Sequence, residues 1–462
     1  MRAQQNTKEG EKMEDTIAAP ATSAGSGAIS VIRVSGPLSK NIAEKIFDNH
    51  KKLVHAMMVH GKIVCGGRCI DDVMAVYFAA PRSYTGEDSF EIYCHASAPG
   101  VYDILRCVTE NGARAAEPGE FTRRAFLNGK LDLSQAEAVC DFIAATSDAG
   151  ARAAQAQLQG GLKKKVSFFQ SRLTDLLAEV QAAVEYPEED LELEITQKAL
   201  PYLLSLLDEI SALAGTFAAG TVIKNGLLTA IAGKPNVGKS SLLNALAERE
   251  RAIVAQIPGT TRDTVEHSVL IDGILFNLTD TAGIRAAGDE IERMGVQRSV
   301  DALTFAQLTL FVLDASAPLD ESDRKAFSHV GGHAILVLNK SDLAPGLTEQ
   351  DAIKQFGEHP VVKVSALTGR GMDDLRAALA AFAGADARAA EGLLVTSVRH
   401  RDLLLSAAAH IGDAIRALEG GADMDCVTID ISAAWADLGA ITGSTVTEEI
   451  IDRIFEKFCL GK

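Results

Sequence analysis

Gly233-Lys-Pro-Asn-Val-Gly-Lys-Ser240 is the stretch that decides the fold. Its spacing, G-x-x-x-x-G-K-S, is that of a phosphate-binding loop. The apolar run Leu227 to Ala232 precedes it and reads as a buried strand. Ser241-Leu-Leu-Asn-Ala-Leu follows and reads as the first turns of a helix. Strand, loop and helix together supply what the motif needs. Backbone N–H groups and a helix N-terminus surround phosphate oxygens. Lys239 neutralises the β/γ oxygens, and the Ser240 hydroxyl can hold Mg²⁺.

The remaining parts of a nucleotide site follow in order. Gly259-Thr-Thr261 comes after the loop-like Gln256-Ile-Pro, where a threonine can close over a γ-phosphate. Leu275-Phe-Asn-Leu-Thr-Asp280-Thr-Ala-Gly283 reads as a strand ending in D-x-x-G. Asp280 can reach Mg²⁺ through water, and the Gly283 amide can sense the γ-phosphate. Ala334 to Asp342 reads as a strand ending in N-K-x-D. Asp342 can accept from the guanine N1–H and exocyclic amine, donors that adenine does not offer there. Ser365, Ala366 and Leu367 end another strand and can turn backbone amides to guanine O6. The pattern therefore predicts GTP rather than ATP. Ile284 follows Gly283, so no glutamine stands there to orient water. Arg262 and Arg285 are candidate cations. Asp289, Glu290 and Glu292 offer carboxylates, and Asn236 can bring an amide oxygen to a monovalent cation.

At 462 residues the chain has room for about three domains. Lys and Arg number 45 against 62 Asp and Glu, a net charge of −17, which argues against a surface that binds nucleic acid indiscriminately. Seven cysteines without disulfide-like spacing fit a reducing compartment. Residues 1–15 are polar and of mixed charge, unlike a signal or transit peptide, and are expected to be a disordered leader. No apolar run is expected to reach membrane-spanning length, so a cytoplasmic protein with no membrane partner is predicted.

Residues 16–130 mix short alternating runs with turns and predict an α+β domain. Ala28 to Val34 and Asp72 to Phe78 read as strands, and Pro81 to Asp88 as a turn. Residues 131–220 turn Ala/Gln/Leu-rich. Leu162, Val166, Phe169, Leu173, Leu176, Val180 and Val184 recur at helical spacing. Lys163 to Lys165 read as a solvated helix end or a basic docking spot. Tyr186-Pro-Glu-Glu-Asp breaks this helix, and another is expected from about Gln197 to Ala214. Residues 221–384 form the α/β nucleotide domain. Residues 385–462 are helical again, with stripes at Leu404, Ala408, Ile411, Ile415 and Leu418, and at Ile451, Ile454, Phe455 and Phe458. The simplest architecture is a helical domain interrupted by an inserted GTPase, which suits a switch.

Along nearly its whole length the sequence resembles the MnmE (TrmE) family of tRNA-modification GTPases. The motifs are Ile32-Arg33-Val-Ser-Gly, Ser83-Tyr-Thr-Gly-Glu-Asp, the block from Pro118 to Ala138, the nucleotide set, and the terminal Cys459-Leu-Gly-Lys462. The resemblance implies a multidomain fold: an α+β N-terminal folate-binding domain, an all-α helical domain, and an inserted α/β P-loop GTPase domain. It implies a homodimer through the N-terminal domains. It implies work with MnmG, an FAD protein, in a heterotetramer or larger complex. That complex adds a carboxymethylaminomethyl group at C5 of the wobble uridine of certain tRNAs. (6S)-5-formyl-tetrahydrofolate or another tetrahydrofolate supplies the one-carbon unit. Carried onto this chain, the GTP contacts are Asn236, Val237, Gly238, Lys239, Ser240 and Ser241; Ala255, Gln256, Ile257, Pro258, Gly259, Thr260 and Thr261; Asp280, Thr281, Ala282 and Gly283; Asn339, Lys340 and Asp342; and Ser365, Ala366 and Leu367. K⁺ falls to Asn236, Ala255, Ile257 and Thr260, and Mg²⁺ to Ser240 and Thr261. Glu292 matches the water-activating glutamate, and Arg33, Glu91, Lys130 and Lys462 match the folate contacts. One departure is His95-Ala96-Ser97, where the family usually shows His-Gly-Gly. The nucleotide loops alone also admit a GTP-switched assembly factor.

Overall fold

Alternation along Ile29–Ser35 sends Ile32 and Val34 to one face of a sheet and Arg33 to the other. That division organises the N-terminal part of the molecule. The structure is a computed structural model that describes residues 15–22, 27–49, 53–185, 191–247, 267–280, 306–388, 392–456, 458 and 461. The N-terminal strands are β1 (Thr16–Pro20), β2 (Ile29–Ser35), β3 (Phe47–Asp48), β4 (Met58–Cys65), β5 (Arg68–Phe78), β6 (Ser89–His95) and β7 (Ala113–Ala115). They form one seven-stranded sheet in the order β3-β4-β5-β6-β2-β1-β7. Its pairs are antiparallel except β1 with β7.

Helices Ser39–Ile46 and Ala98–Glu110 join one face of this sheet in a core with Ile32, Val34, Phe90 and Ile92. The opposite face carries a smaller cluster of Ile17, Ala19, Ala116 and Phe121, with Tyr84 packed on it. Asp15 was expected to belong to a loose leader, but its carboxylate bonds to Arg114 and Arg124. Asp15 is thus tied into the N-terminal domain. The Ala96–Ser97 departure also finds a reason. Ser97 adopts φ −79°, which needs no glycine, and its hydroxyl accepts from the Gly100 amide at 3.2 Å. It N-caps the helix Ala98–Glu110 where glycine would offer no side chain. His95 is tied down too, because its amide and ring nitrogen both reach Asp71 at 2.8 Å.

The second sheet contains β8 (Leu227–Ala232), β9 (His267–Ile271), β10 (Ile274–Asp280), β11 (Leu308–Asp314), β12 (His333–Asn339) and β13 (Val361–Lys363). Its order is β13-β12-β11-β8-β10-β9, parallel except for β9. Strands buried on both faces read as continuous apolar runs, as Leu308–Asp314 does. After β8 the chain builds outward through β9 and β10 and then returns to the other side of β8. Such a reversal opens a crevice at the carboxyl ends of the strands.

In the long helix Gly161–Glu185, Leu162, Val166, Phe169, Leu173, Leu176 and Val180 are all buried, as their spacing predicts. The side chain of Val184 lies outside the described residues. The next helix, Leu191–Gly215, starts earlier than expected. Against the expectation of no membrane-length apolar run, Gln197–Asn225 is by length and composition alone apolar enough to cross a bilayer, with mean hydropathy 1.4 over its most apolar 18 residues. Yet Leu203, Leu206 and Ile210 on it are buried, and Leu191–Gly215 packs along the helix Val398–Glu419. That apolar face therefore meets protein. Chain before and after the second sheet thus packs together, as an interrupted helical domain requires. Two compact units are distinguished: Met1–Cys140, Leu158–Leu177 and Trp435–Lys462 in one, and Asp141–Gln157 and Ala178–Ala434 in the other. In the first unit Ile451, Phe455 and Phe458 pack with Leu133 and Ala136.

Candidate functional site

Strand β8 delivers the chain into the loop 233–238, and the helix Lys239–Ala247 leaves it. Two glycines are required there by space as well as by torsion. Gly233 has φ +142° and a Cβ would run into the Val312 carbonyl oxygen. Gly238 has φ +97° and a Cβ would run into the Asn339 amide. Asn236 also sits at positive φ, 65°, and is exposed. Val237 is buried beneath the loop, while Ser240 and Ser241 are exposed at the helix start. The Lys239 ammonium donates to the carbonyls of Gly233 at 2.7 Å and Lys234 at 2.9 Å. Its charge is thus held inside the loop.

The base-side loops meet at Asn339. Its side chain is 2% exposed. Its amide donates to the Val237 carbonyl at 2.9 Å, and its oxygen accepts from the Ala366 amide at 3.0 Å. Asn339 therefore joins the phosphate loop to the loop that carries Ser365, and Ala366 gives its N–H to Asn339. Ser365 is buried, and Leu367 is 88% exposed. Lys340 stands at φ 63°, and its ammonium reaches Asp314 Oδ2 at 2.6 Å. Asp342 is exposed on the same loop. Asp280 ends β10, its backbone in register with Ile231 of β8, two residues before Gly233. Ala255 to Thr261, Thr281 to Gly283, Glu292 and Lys462 lie outside the described residues.

Two supports escaped sequence reasoning. Asp314, at the end of β11, is paired in register with Asn339. Burial pushes its carboxyl up, but hydrogen bonds from Lys340 and Ser316 outweigh this and hold it below the usual range. Lys234 bonds to Asp320 at 2.8 Å and Asp323 at 2.9 Å, the capping box of the helix Glu321–Phe327. Asp323 is 2% exposed, so this pair anchors the outer wall of the phosphate loop. No local motif announces either pair. Asp314→Asn is expected to leave Lys340 without its charged partner and to weaken GTP and GDP alike by roughly 10-fold. Titration calorimetry with each nucleotide checks this, and unchanged affinities would make the Asp314–Lys340 pair incidental.

On the N-terminal sheet, register places Arg33 opposite Glu91. Arg33 Nε donates to Glu91 Oε1 at 2.8 Å, and the Tyr93 hydroxyl donates to Oε2 at 2.9 Å. The guanidinium lies 5.1 Å from the Tyr84 ring centre and 5.6 Å from that of Phe121. Lys130 is exposed and donates to the Pro81 carbonyl at 3.1 Å, on the turn that carries Tyr84. Gly461 lies against the Pro20 carbonyl, where a Cβ would not fit. Pro20 adjoins Ala19, the register partner of Arg33, so Gly461 lies at the strand beside Arg33.

A mostly parallel sheet whose strand ends carry G-x-x-x-x-G-K-S, D-x-x-G and N-K-x-D defines a P-loop GTPase. Family models extend this to the flanking regions: the GTP-binding protein TrmE N-terminus matches residues 16–130, and the MnmE helical domain matches residues 133–459. The tRNA modification GTPase MnmE of Clostridioides difficile is 42% identical over 97% of this chain and 100% of its own length. That of Symbiobacterium thermophilum is 43% identical with the same coverage. Among solved structures, an Era variant of Aquifex aeolicus bound to GDP and AlF₄⁻ aligns over 33% of this chain and 55% of that one, at 29% identity and a TM-score of 0.27. The chain belongs to the MnmE family of tRNA modification GTPases.

Proposed function

We propose that this GTPase is activated by potassium and acts in the cytoplasm as a homodimer. With the FAD protein MnmG it installs the carboxymethylaminomethyl group at C5 of the wobble uridine of certain tRNAs. The observation that carries the reading is the phosphate loop with Asn236 exposed at positive φ. A side chain there is free of the loop's own packing and can offer its amide oxygen to a cation beside the phosphates. Thr260 and the carbonyls of Ala255 and Ile257 complete that cation's ligands. Lys239 neutralises β/γ oxygens, and Ser240 and Thr261 hold Mg²⁺, with Asp280 reaching it through water. Glu292 orients the attacking water that Ile284 cannot. Held by these residues, a monovalent cation would supply the charge stabilisation that other GTPases take from an arginine.

The folate reading rests on the Arg33–Glu91 pair. Its side chains are 18% and 12% exposed and lie among the rings of Tyr84, Tyr93 and Phe121. A flat heterocycle with amine and carbonyl edges fits such a set, and an anionic glutamate tail fits Lys130 and Lys462. When bound, the tetrahydrofolate supplies a one-carbon unit. Residues Arg33 and Glu91 would hold and orient its ring, and Gly461 lies at the strand beside Arg33.

GTP turnover by the full chain in K⁺ and in Na⁺ at equal ionic strength tests the cation reading. Stimulation by K⁺ that is lost in Asn236→Ala is expected. Equal rates in both salts would remove the cation site and return the charge-stabilising role to an arginine.

A further inference from the structure

Phe168 is 50% exposed on the helix Gly161–Glu185, although the apolar stripe of that helix from Leu162 to Val180 is buried. Its helical neighbours are Lys164 and Lys165 one turn before it and Ser171 and Arg172 one turn after. The Lys165 ammonium lies 5.5 Å from the Phe168 ring centre and the Arg172 guanidinium 5.6 Å. Lys164 and Ser171 are exposed. The setting is unusual for a chain of net charge −17. From Ala149 to Thr174 there is no Asp or Glu, while Lys163, Lys164, Lys165 and Arg172 fall within that stretch. Lys163 leans to Asp132 at 3.8 Å. On the helix itself carboxylates resume only beyond Arg172, at Asp175 and Glu179.

A burial role does not explain a half-exposed phenylalanine, and a solubility role does not explain cations gathered against its ring. Cations beside an accessible aromatic ring suit a single-stranded or looped RNA, with phosphates for the charges and a base for the ring. The inference rests on the tRNA-modifying reading above: relatives are named as tRNA modification GTPases, and a tRNA presents unpaired bases in its loops. We propose that Lys164, Lys165, Phe168 and Arg172 form a docking surface for the tRNA substrate. The three cations take backbone phosphates, and Phe168 stacks on an unpaired base, with Lys165 and Arg172 adding attraction to the stacked rings.

The test is fluorescence anisotropy of labelled, unfractionated tRNA with the full chain over a range of salt. Phe168→Ala is expected to weaken binding roughly 5- to 100-fold, and Phe168→Tyr to retain it. The triple variant Lys164→Gln, Lys165→Gln, Arg172→Gln is expected to lower the slope of log affinity against log salt by about 2. GTP turnover without tRNA stays at the parent level in all of them. Parent-like tRNA affinity and salt slope in the alanine and triple variants would overturn the proposal. So would loss of a protein partner in place of tRNA, which would assign this face to protein docking.

Discussion

Asp342→Asn is expected to turn a guanosine triphosphate site into one for xanthosine triphosphate. An ionised carboxylate only accepts, and guanine presents N1–H and an exocyclic amine to it. An asparagine amide turns one acceptor into a donor, which then faces the guanine amine donor to donor. Xanthine carries a carbonyl in place of that amine and so accepts from the new N–H. A site built for one hydrogen-bonding edge rejects the wrong edge by roughly 10⁴-fold. The swap should leave the loop itself standing. Asp342 is exposed, and the loop is fixed by Asn339 to Val237 and Ala366 and by Lys340 to Asp314. Turnover assays with each nucleotide decide the matter. Loss of GTP use with gain of xanthosine triphosphate use is expected. Loss of both would mean that Asp342 supports the loop rather than reading the base.

The phosphate loop and the loops at Asn339 and Ser365 were legible in the sequence because each motif is local. A strand, a turn and the residues at its end lie within a few positions, and the order of the motifs fixes the strand ends they occupy. The supports of those loops were not legible, because they are made across the fold. Lys234 meets Asp323 across 89 residues, and Lys340 meets Asp314 across 26. Asn339 was read as a nucleotide contact, yet the structure also gives it the work of joining two loops. Arg33 and Glu91 belong to one set of expected folate contacts, but only strand register reveals that they face each other. Polar residues interrupt Gln197–Asn225, so no continuous apolar run shows there, and only averaging over 18 residues gives a membrane-like hydropathy. The Ala96–Ser97 departure looked like a loss of glycine freedom. The backbone there is extended, so serine acts as a cap instead.

Removing Arg124 should destabilise the N-terminal sheet by about 3–5 kcal/mol, the usual consequence of breaking a buried ion pair from one side. Arg124 is 1% exposed. It donates to Asp15 Oδ1 at 2.8 Å, Glu120 Oε1 at 2.9 Å, and both Glu87 oxygens at 3.3 Å. Arg114 makes a two-pronged contact with Glu120 at 2.6 and 2.8 Å and also reaches Asp15. Three carboxylates thus share two guanidinium groups. In Arg124→Met, Glu120 keeps Arg114 while Glu87 loses a charged partner in a site from which water is largely excluded. Burial pushes the Glu120 and Asp15 carboxyls up, but hydrogen bonds and charge from the two arginines outweigh it, so both sit below their ordinary 4.5 and 3.8. Groups with depressed folded-state values stabilise the fold above their ordinary pKa, and that contribution fades as pH falls through the depressed values. The deficit of the variant should therefore be full near neutrality and shrink in acid, below the ordinary carboxylate range. Asp15 contributes less than Glu120 because its side chain is 45% exposed and water screens it. Urea-dependent hydrogen-exchange protection of β2 and β6 in the full chain, at neutral and acid pH, measures both effects. Arg124→Lys, which keeps the charge and loses the planar fork, should fall between parent and methionine variant. A methionine variant with parent-like protection at neutral pH would mean that Arg114 alone satisfies the carboxylates. A deficit of the same size at both pH values would mean that Arg124 acts by packing rather than by charge.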